Sequence, residues 1–245
     1  MTELFTLEGK ISVTAALRAR LRKFEVVLVS SALHEEKVAE VVRLAGECRV
    51  PLRTVPPAAF EKLTHGKTHG GVVATCTDRS TTPLEEILKK GPTPHLLLYL
   101  EGIEDVRTMG QIMRTADALG VTGLIIRKHK WDFDSGDLSR ASSGSYEHLP
   151  LYRTEGVDVL DQLRKEGITT IGCIAGVRRT IYEGEWNRPT LVAIGGEKRG
   201  LSGATRERCA GFLKIPTRKG APSLTSGHAA AIVLGEAARS RGITS

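Results

Sequence analysis

His95-Leu96-Leu97-Leu98-Tyr99-Leu100 opens the half of the chain that decides the fold. It is an apolar run of strand length, too short for a buried helix. Met109 to Leu119 follows as a helical period stopped by Gly120, and Gly123 to Arg127 is the next strand. The alternation continues through a helix at Val157 to Lys165 and strands at Thr169 to Ala175 and Thr190 to Gly195. Part of a helix at Thr205 to Cys209, a strand at Phe212 to Ile215 and an alanine-dense helix at Ser223 to Arg239 complete it. Alternation of this kind predicts an α/β fold, a mostly parallel sheet with helices on both faces.

Upstream, residues 1–78 read as a separate small α/β unit. Val13 to Leu21 carries apolar residues at 13, 16, 17 and 21, a helical period. Its polar side carries Arg18, Arg20, Arg22 and Lys23. Val26-Val27-Leu28-Val29 is a short strand and Glu35 to Cys48 a helix with Val38, Val41, Val42 and Ala45 on one face. Residues 50–55 have β character, and Gly71 to Ala74 is a further strand. Residues 79–94, rich in Thr, Pro and Gly around a short helix at Leu84 to Lys90, are expected to form the linker. The second domain is then 95–245.

Composition narrows the function. Of 245 residues, 40% are hydrophobic and 26% charged, which suits a packed core and excludes global disorder. No apolar run approaches the ~18–20 residues of a membrane span, and the N-terminus has no signal-peptide pattern. The four cysteines, at 48, 76, 173 and 209, form no C-x-x-C pair or zinc spacing and read as reduced thiols in a cytoplasmic protein. A net charge of +7 permits a polyanionic partner and equally suits a generically basic soluble protein. Aromatics at 4% argue against a single-strand binder built on stacked bases.

Several familiar motifs fail. Gly66-Lys67-Thr68 resembles the end of a phosphate loop, but Glu61 stands where the upstream glycine belongs. Gly195-Gly196-Glu197-Lys198-Arg199-Gly200 follows a strand but has G-G-x-x-x-G spacing, which disfavours a nicotinamide cofactor. His65 and His69 sit among glycines that break any helix, so no metal site is expected.

Three stretches carry chemistry. Glu101 to Ala116 runs from a strand end into a helix bearing Arg114, which reads either as a solvent-facing residue or as a functional one. Ile194-Gly195-Gly196-Glu197-Lys198-Arg199-Gly200-Leu201-Ser202 sets paired glycines at a strand end, where a ligand can approach the backbone, or where the chain simply turns tightly. Ile215-Pro216-Thr217 and Pro222-Ser223-Leu224-Thr225-Ser226-Gly227-His228 end a strand and begin the last helix, with Ser223 as its expected cap.

In this order, with Arg140-Ala141-Ser142-Ser143-Gly144-Ser145 and His148-Leu149-Pro150 between them, these stretches resemble the SpoU (TrmH-type) branch of the SPOUT RNA 2′-O-ribose methyltransferases. The likeness covers nearly the whole chain. Residues 9–74 resemble that family's RNA substrate-binding domain, which shares its fold with certain ribosomal RNA-binding proteins. Residues 95–240 resemble its catalytic domain, which implies a C-terminal trefoil knot, S-adenosylmethionine as cofactor, a homodimer and an RNA substrate, ribosomal RNA before transfer RNA.

The resemblance assigns catalysis to Arg114, Glu197 and Ser223, and cofactor binding to Gly195, Gly196, Glu197, Ile215 and Leu224. It places Thr108 and Thr225 at the substrate, where the family carries asparagine, and Gly227 where the family often has serine. Arg18, Arg20, Arg22 and Lys23 are expected at RNA phosphates or, equally, on a solvated helix face. The alternative function is an RNA-binding protein of the same fold with weak or lost methyl transfer.

Overall fold

The structure is a computed structural model that describes residues 3–61, 63–64, 69–128 and 132–243. It divides into two compact units, one of residues 1–80 with 132–148, the other of 81–131 with 149–245.

The first unit contains β1 (Phe5–Glu8), α1 (Lys10–Ala19), β2 (Phe24–Ser30), α2 (Glu35–Glu47), β3 (Leu52–Val55) and β4 (Val72–Cys76). Its sheet has the order β1-β4-β2-β3, antiparallel except for β2 with β3. Leu7, Val13, Leu17, Val27, Val41 and Val72 form its core, as the helical and strand periods require.

Two elements that sequence periodicity does not mark join this unit. They are α5 (Ser135–Ala141) and α6 (Ser145–His148), which pack on β1 and α1. Their buried residues combine Gly136, Ser139 and Ser142 with Leu138 and Tyr146. A Cβ on Gly136 would lie 2.2 Å from the Thr6 carbonyl oxygen, so only glycine allows the helix this close to the strand. The division expected at 78, 79–94 and 95–245 therefore meets a chain whose residues 132–148 return to the first unit.

The second unit holds α3 (Leu84–Lys90), β5 (Leu96–Glu101), α4 (Val106–Ala118), β6 (Gly123–Arg127), β7 (Leu151–Thr154) and α7 (Asp158–Lys165). It continues with β8 (Thr169–Cys173), β9 (Thr190–Gly195), α8 (Gly203–Arg208), β10 (Gly211–Leu213) and α9 (Ser226–Ser240). All strand pairs are parallel, in the order β10-β8-β9-β5-β6-β7. β5 is buried along its whole length, which is why its sequence reads as a continuous apolar run. Leu97 and Tyr99 join Leu84, Ile87 and Leu163 in one cluster, so the 79–94 stretch supplies core residues to this unit. α9 packs on α4 and β9.

The chain proceeds from β5 outward through β6 and β7, then fills the other side with β8, β9 and β10. The direction of winding reverses between β5 and β9, and ligands of open parallel sheets bind outside the carboxyl ends of strands at such a point. No helix among the described residues is long and apolar enough to cross a membrane.

Candidate active site

The carboxyl ends of β5 and β9 meet where Gly196 donates its N–H to the Glu101 carbonyl at 2.6 Å. A Cβ on Gly196 would lie 1.9 Å from the Gly102 carbonyl oxygen, and one on Gly195 would lie 2.1 Å from the Gly200 carbonyl carbon. The paired glycines are thus dictated by close passage of the chain against itself, a tighter constraint than the ligand approach expected from sequence. Gly200 closes the turn by donating to the Gly196 carbonyl at 2.8 Å.

Two cavities flank this turn. The larger, about 540 Å³, is walled by the end of β8 (Cys173, Ile174, Ala175), by Ile194 to Glu197, and by Gly200, Leu201 and Arg206. Ile215, Thr217 and residues 221–226 close its other side. The smaller, about 410 Å³, is formed by Gly102, Ile103, Glu104, Asp105, Thr108, Glu197, Lys198 and Ser226. Glu197 and Ser226 belong to both walls. Ser226 is buried, and its hydroxyl donates to the Gly195 carbonyl at 2.9 Å, which ties the first turn of α9 to the end of β9.

Helix ends position the threonines. Asp105 caps α4 by accepting from the Thr108 N–H at 2.7 Å, and this bond holds the Asp105 carboxyl below the usual carboxylate range. Thr225, not the expected Ser223, caps α9, its hydroxyl accepting from the His228 N–H at 3.3 Å. The cap falls two residues later because residues 215–224 stay irregular along the cavity wall.

The larger cavity fits an S-adenosylmethionine-sized ligand. Its wall mixes the apolar Ile194, Leu201, Ile215 and Leu224 with loop backbone. Between 215 and 225, Ala221 is the one residue among those described whose N–H bonds another backbone group, to Arg218. The other amides of that loop remain available to a ligand. Burial pushes the Cys173 thiol on this wall up to about 11, so it stays protonated at neutral pH.

The structure brings Gly195, Gly196, Glu197, Ile215, Ser223, Leu224 and Thr225 to one cavity, and Thr108 to its neighbour. Arg114 lines neither. It is exposed on α4 and, among the described residues, makes no side-chain hydrogen bond or ion pair. In the first unit Arg18 is exposed and pairs with Glu40, and Arg20 and Lys23 are exposed. Arg22 is not available to an RNA phosphate. Its guanidinium is fully buried against Glu147, a partner 125 residues away that no local pattern reveals. His65 and Gly66-Lys67-Thr68 lie outside the described residues. Sequence reasoning missed Glu101, Arg127, Ser202, Thr205 and Ser226, although a charged residue that ends an apolar strand is the signal that marks Glu101.

A parallel sheet with a glycine turn and two adjoining cavities at its switch point places the chain in the α/β class. The chain belongs to the SpoU rRNA Methylase family, whose model matches residues 95–235. Residues 6–82 match the RNA 2′-O ribose methyltransferase substrate-binding model. The 23S rRNA (guanosine-2′-O-)-methyltransferase RlmB of Pseudomonas putida is 29% identical, the alignment covering 98% of each chain. Its namesake in Vibrio parahaemolyticus is 27% identical over 95% of this chain and 96% of its own. Among solved structures, the SpoU methyltransferase AviRb of Streptomyces viridochromogenes, in complex with AdoMet, superposes with a TM-score of 0.82. It is 25% identical, over 98% of this chain and 92% of its own.

Proposed function

We propose that this chain transfers a methyl group from S-adenosylmethionine to a ribose 2′-hydroxyl of structured RNA, ribosomal RNA before transfer RNA, the S–CH3 bond breaking to leave the neutral thioether and the hydroxyl proton passing to solvent. The observation that carries the reading is the pair of cavities sharing Glu197 and Ser226 in a member of the SpoU family. Only RNA offers the 2′-hydroxyl. The preference for ribosomal RNA rests on relatives named as 23S rRNA enzymes.

S-adenosylmethionine supplies a methyl group already activated as a sulfonium. The Ile194, Leu201, Ile215 and Leu224 side chains, with those N–H groups of the 215–225 loop that bond no other backbone group, would hold it in the larger cavity. Thr108 and Glu197 orient the ribose in the smaller one. Ser223, on the same loop, would position the loop or the substrate from the cavity wall. Arg114 clamps the adjacent phosphate and stabilises the charge that grows on the attacking oxygen. A guanidinium rarely gives up its proton, so this role suits it better than that of a base.

An exposed arginine outside both cavities supports a homodimer in which a second copy carries Arg114 to the site. Ile232, exposed on α9 beside α4, suits the same contact. Arg18, Arg20 and Lys23 of the substrate-binding domain would meet RNA phosphates. The family's C-terminal knot would fall where Gly195 and Gly196 press against Gly200 and Gly102. The cytoplasm is the compartment we assign.

Thr108 and Thr225, where the family has asparagine, favour a second reading, an RNA-binding protein whose transfer is weak or lost. Calorimetry with the donor and a tritiated-methyl transfer assay on total RNA separate the two. Binding in the micromolar range, roughly −8 kcal/mol, together with labelled RNA supports methyl transfer. Binding without label supports the second reading, and absence of both overturns the first.

A further inference from the structure

We propose that Glu101 is a positioning residue for methyl transfer, its buried carboxylate fixing the 196–202 turn that separates the two cavities. The role rests on the methyl-transfer reading above.

Glu101 is the last residue of the central strand β5 and is only 9% exposed. One residue grips both ends of the turn. Its carbonyl accepts from the Gly196 N–H at 2.6 Å. Its Oε2 accepts from the Ser202 N–H at 3.2 Å and from the Thr205 hydroxyl at 2.7 Å. Thr205 is fully buried in the first turn of α8. The second carboxylate oxygen pairs with Arg127, at the end of β6. Arg127 also donates to the Ser202 hydroxyl at 3.1 Å, and that hydroxyl caps α8. The Tyr99 and Thr205 hydroxyls lie 3.4 Å apart beneath the pair. Burial raises the Tyr99 phenol above its ordinary value, so it stays neutral and its hydroxyl remains available.

Glu101 lines neither cavity, yet the turn it holds carries Glu197, which lines both. A buried carboxylate with an N–H, an O–H and a guanidinium around it is rigid, because release of any donor exposes an unmet charge. In-line transfer between two separately bound partners is sensitive to such rigidity, since a displacement of about 1 Å costs ~10²-fold in rate.

Two substitutions at Thr205 separate this role from packing. Thr205→Ser keeps the hydroxyl and removes a methyl group. Thr205→Val keeps the shape and removes the hydroxyl. Positioning predicts that Thr205→Val lowers the single-turnover rate by ~10-fold or more and weakens donor binding about threefold or more, whereas Thr205→Ser stays within about twofold of wild type in both. Hydrogen exchange at residues 196–202 is expected to rise in Thr205→Val and not in Thr205→Ser. Packing alone predicts the reverse order, with Thr205→Ser the worse variant. Glu101→Gln, which sets an amide nitrogen against Arg127, is the second variant and is expected to follow Thr205→Val.

Thr205→Val or Glu101→Gln indistinguishable from wild type in donor affinity and exchange, or Thr205→Ser as impaired as Thr205→Val, overturns the proposal. Wild-type donor binding and transfer test the methyl-transfer reading separately, so the two failures are distinguishable. Exchange at 196–202 decides the positioning role even where no RNA is labelled.

Discussion

The Arg22 guanidinium and the Glu147 carboxylate, 125 residues apart in sequence, form a two-pronged ion pair with both side chains fully buried, Nε to Oε2 at 2.6 Å and Nη2 to Oε1 at 2.8 Å. Arg22 also donates to the Ser135 hydroxyl and the Thr77 carbonyl, each at 2.8 Å, and sits over the Tyr146 ring. Burial alone would lower the Arg22 value, but the Glu147 carboxylate more than reverses this and the guanidinium stays charged. This pair helps to fasten residues 132–148 into the first unit, beside the Arg140–Glu8 ion pair and the Ser135 and Tyr146 hydroxyls that donate to Asp78.

Arg22→Met strands a buried carboxylate. It is expected to destabilise the protein by ~3–5 kcal/mol, while the double change Arg22→Met with Glu147→Leu recovers most of the loss. Urea unfolding of wild type and the two variants checks this. Equal stability of Arg22→Met and wild type would deny the pair any structural role.

Arg114→Ala is expected to lower turnover by ~10²–10³-fold with little change in donor affinity. Arg114→Lys rescues poorly, because an ammonium cannot fork onto phosphate and hydroxyl together. A single-turnover rate within about threefold of wild type, under ~0.7 kcal/mol, removes Arg114 from the mechanism.

Asparagine caps helices as well as threonine does, so Thr225→Asn keeps the start of α9 intact. With Thr108→Asn it restores the family's amides, one at each cavity. Turnover of the double variant is expected to exceed wild type in the methyl transfer assay. A lower turnover means that the threonines suit a different local geometry.

Burial raises the Cys76, Cys173 and Cys209 thiols from about 9 to about 11. The folded value lies above the unfolded one, so the stability these protonated thiols contribute is present below about pH 9 and lost as pH rises through about 11. Urea midpoints measured across that window should fall with pH, and fall less in Cys173→Ala with Cys209→Ala. A slope unchanged by the substitutions rules the thiols out as its cause.

The strands that carry the site were legible because burial on both faces writes itself as unbroken apolar runs. Gly123 to Arg127 and Thr190 to Gly195 have the bounds the sequence predicts. The short β1 escaped, since four residues with Leu7 as the one fully buried side chain give no period. The helices at 135–148 escaped because serine and glycine fill most of their buried positions, leaving Leu138 and Tyr146 too few to mark a period. Arg22 was misread for a different reason. Its neighbours Arg18, Arg20 and Lys23 are exposed, and only a distant carboxylate makes its burial tolerable. At the site, the glycine turn and the 215–225 loop were visible as motifs. The Glu101–Thr205 network was not, because it joins the end of one strand to a helix 104 residues later.

Nucleoside analysis of RNA after incubation with isotope-labelled S-adenosylmethionine tests the central claim most directly. The enzymatic digest of 23S ribosomal RNA from a strain lacking this chain should contain label in a 2′-O-methylated nucleoside, at one mapped position, and label should be absent when the protein is omitted. Label on a base rather than a ribose, or no label in any RNA although the donor binds, would contradict ribose methylation by this protein.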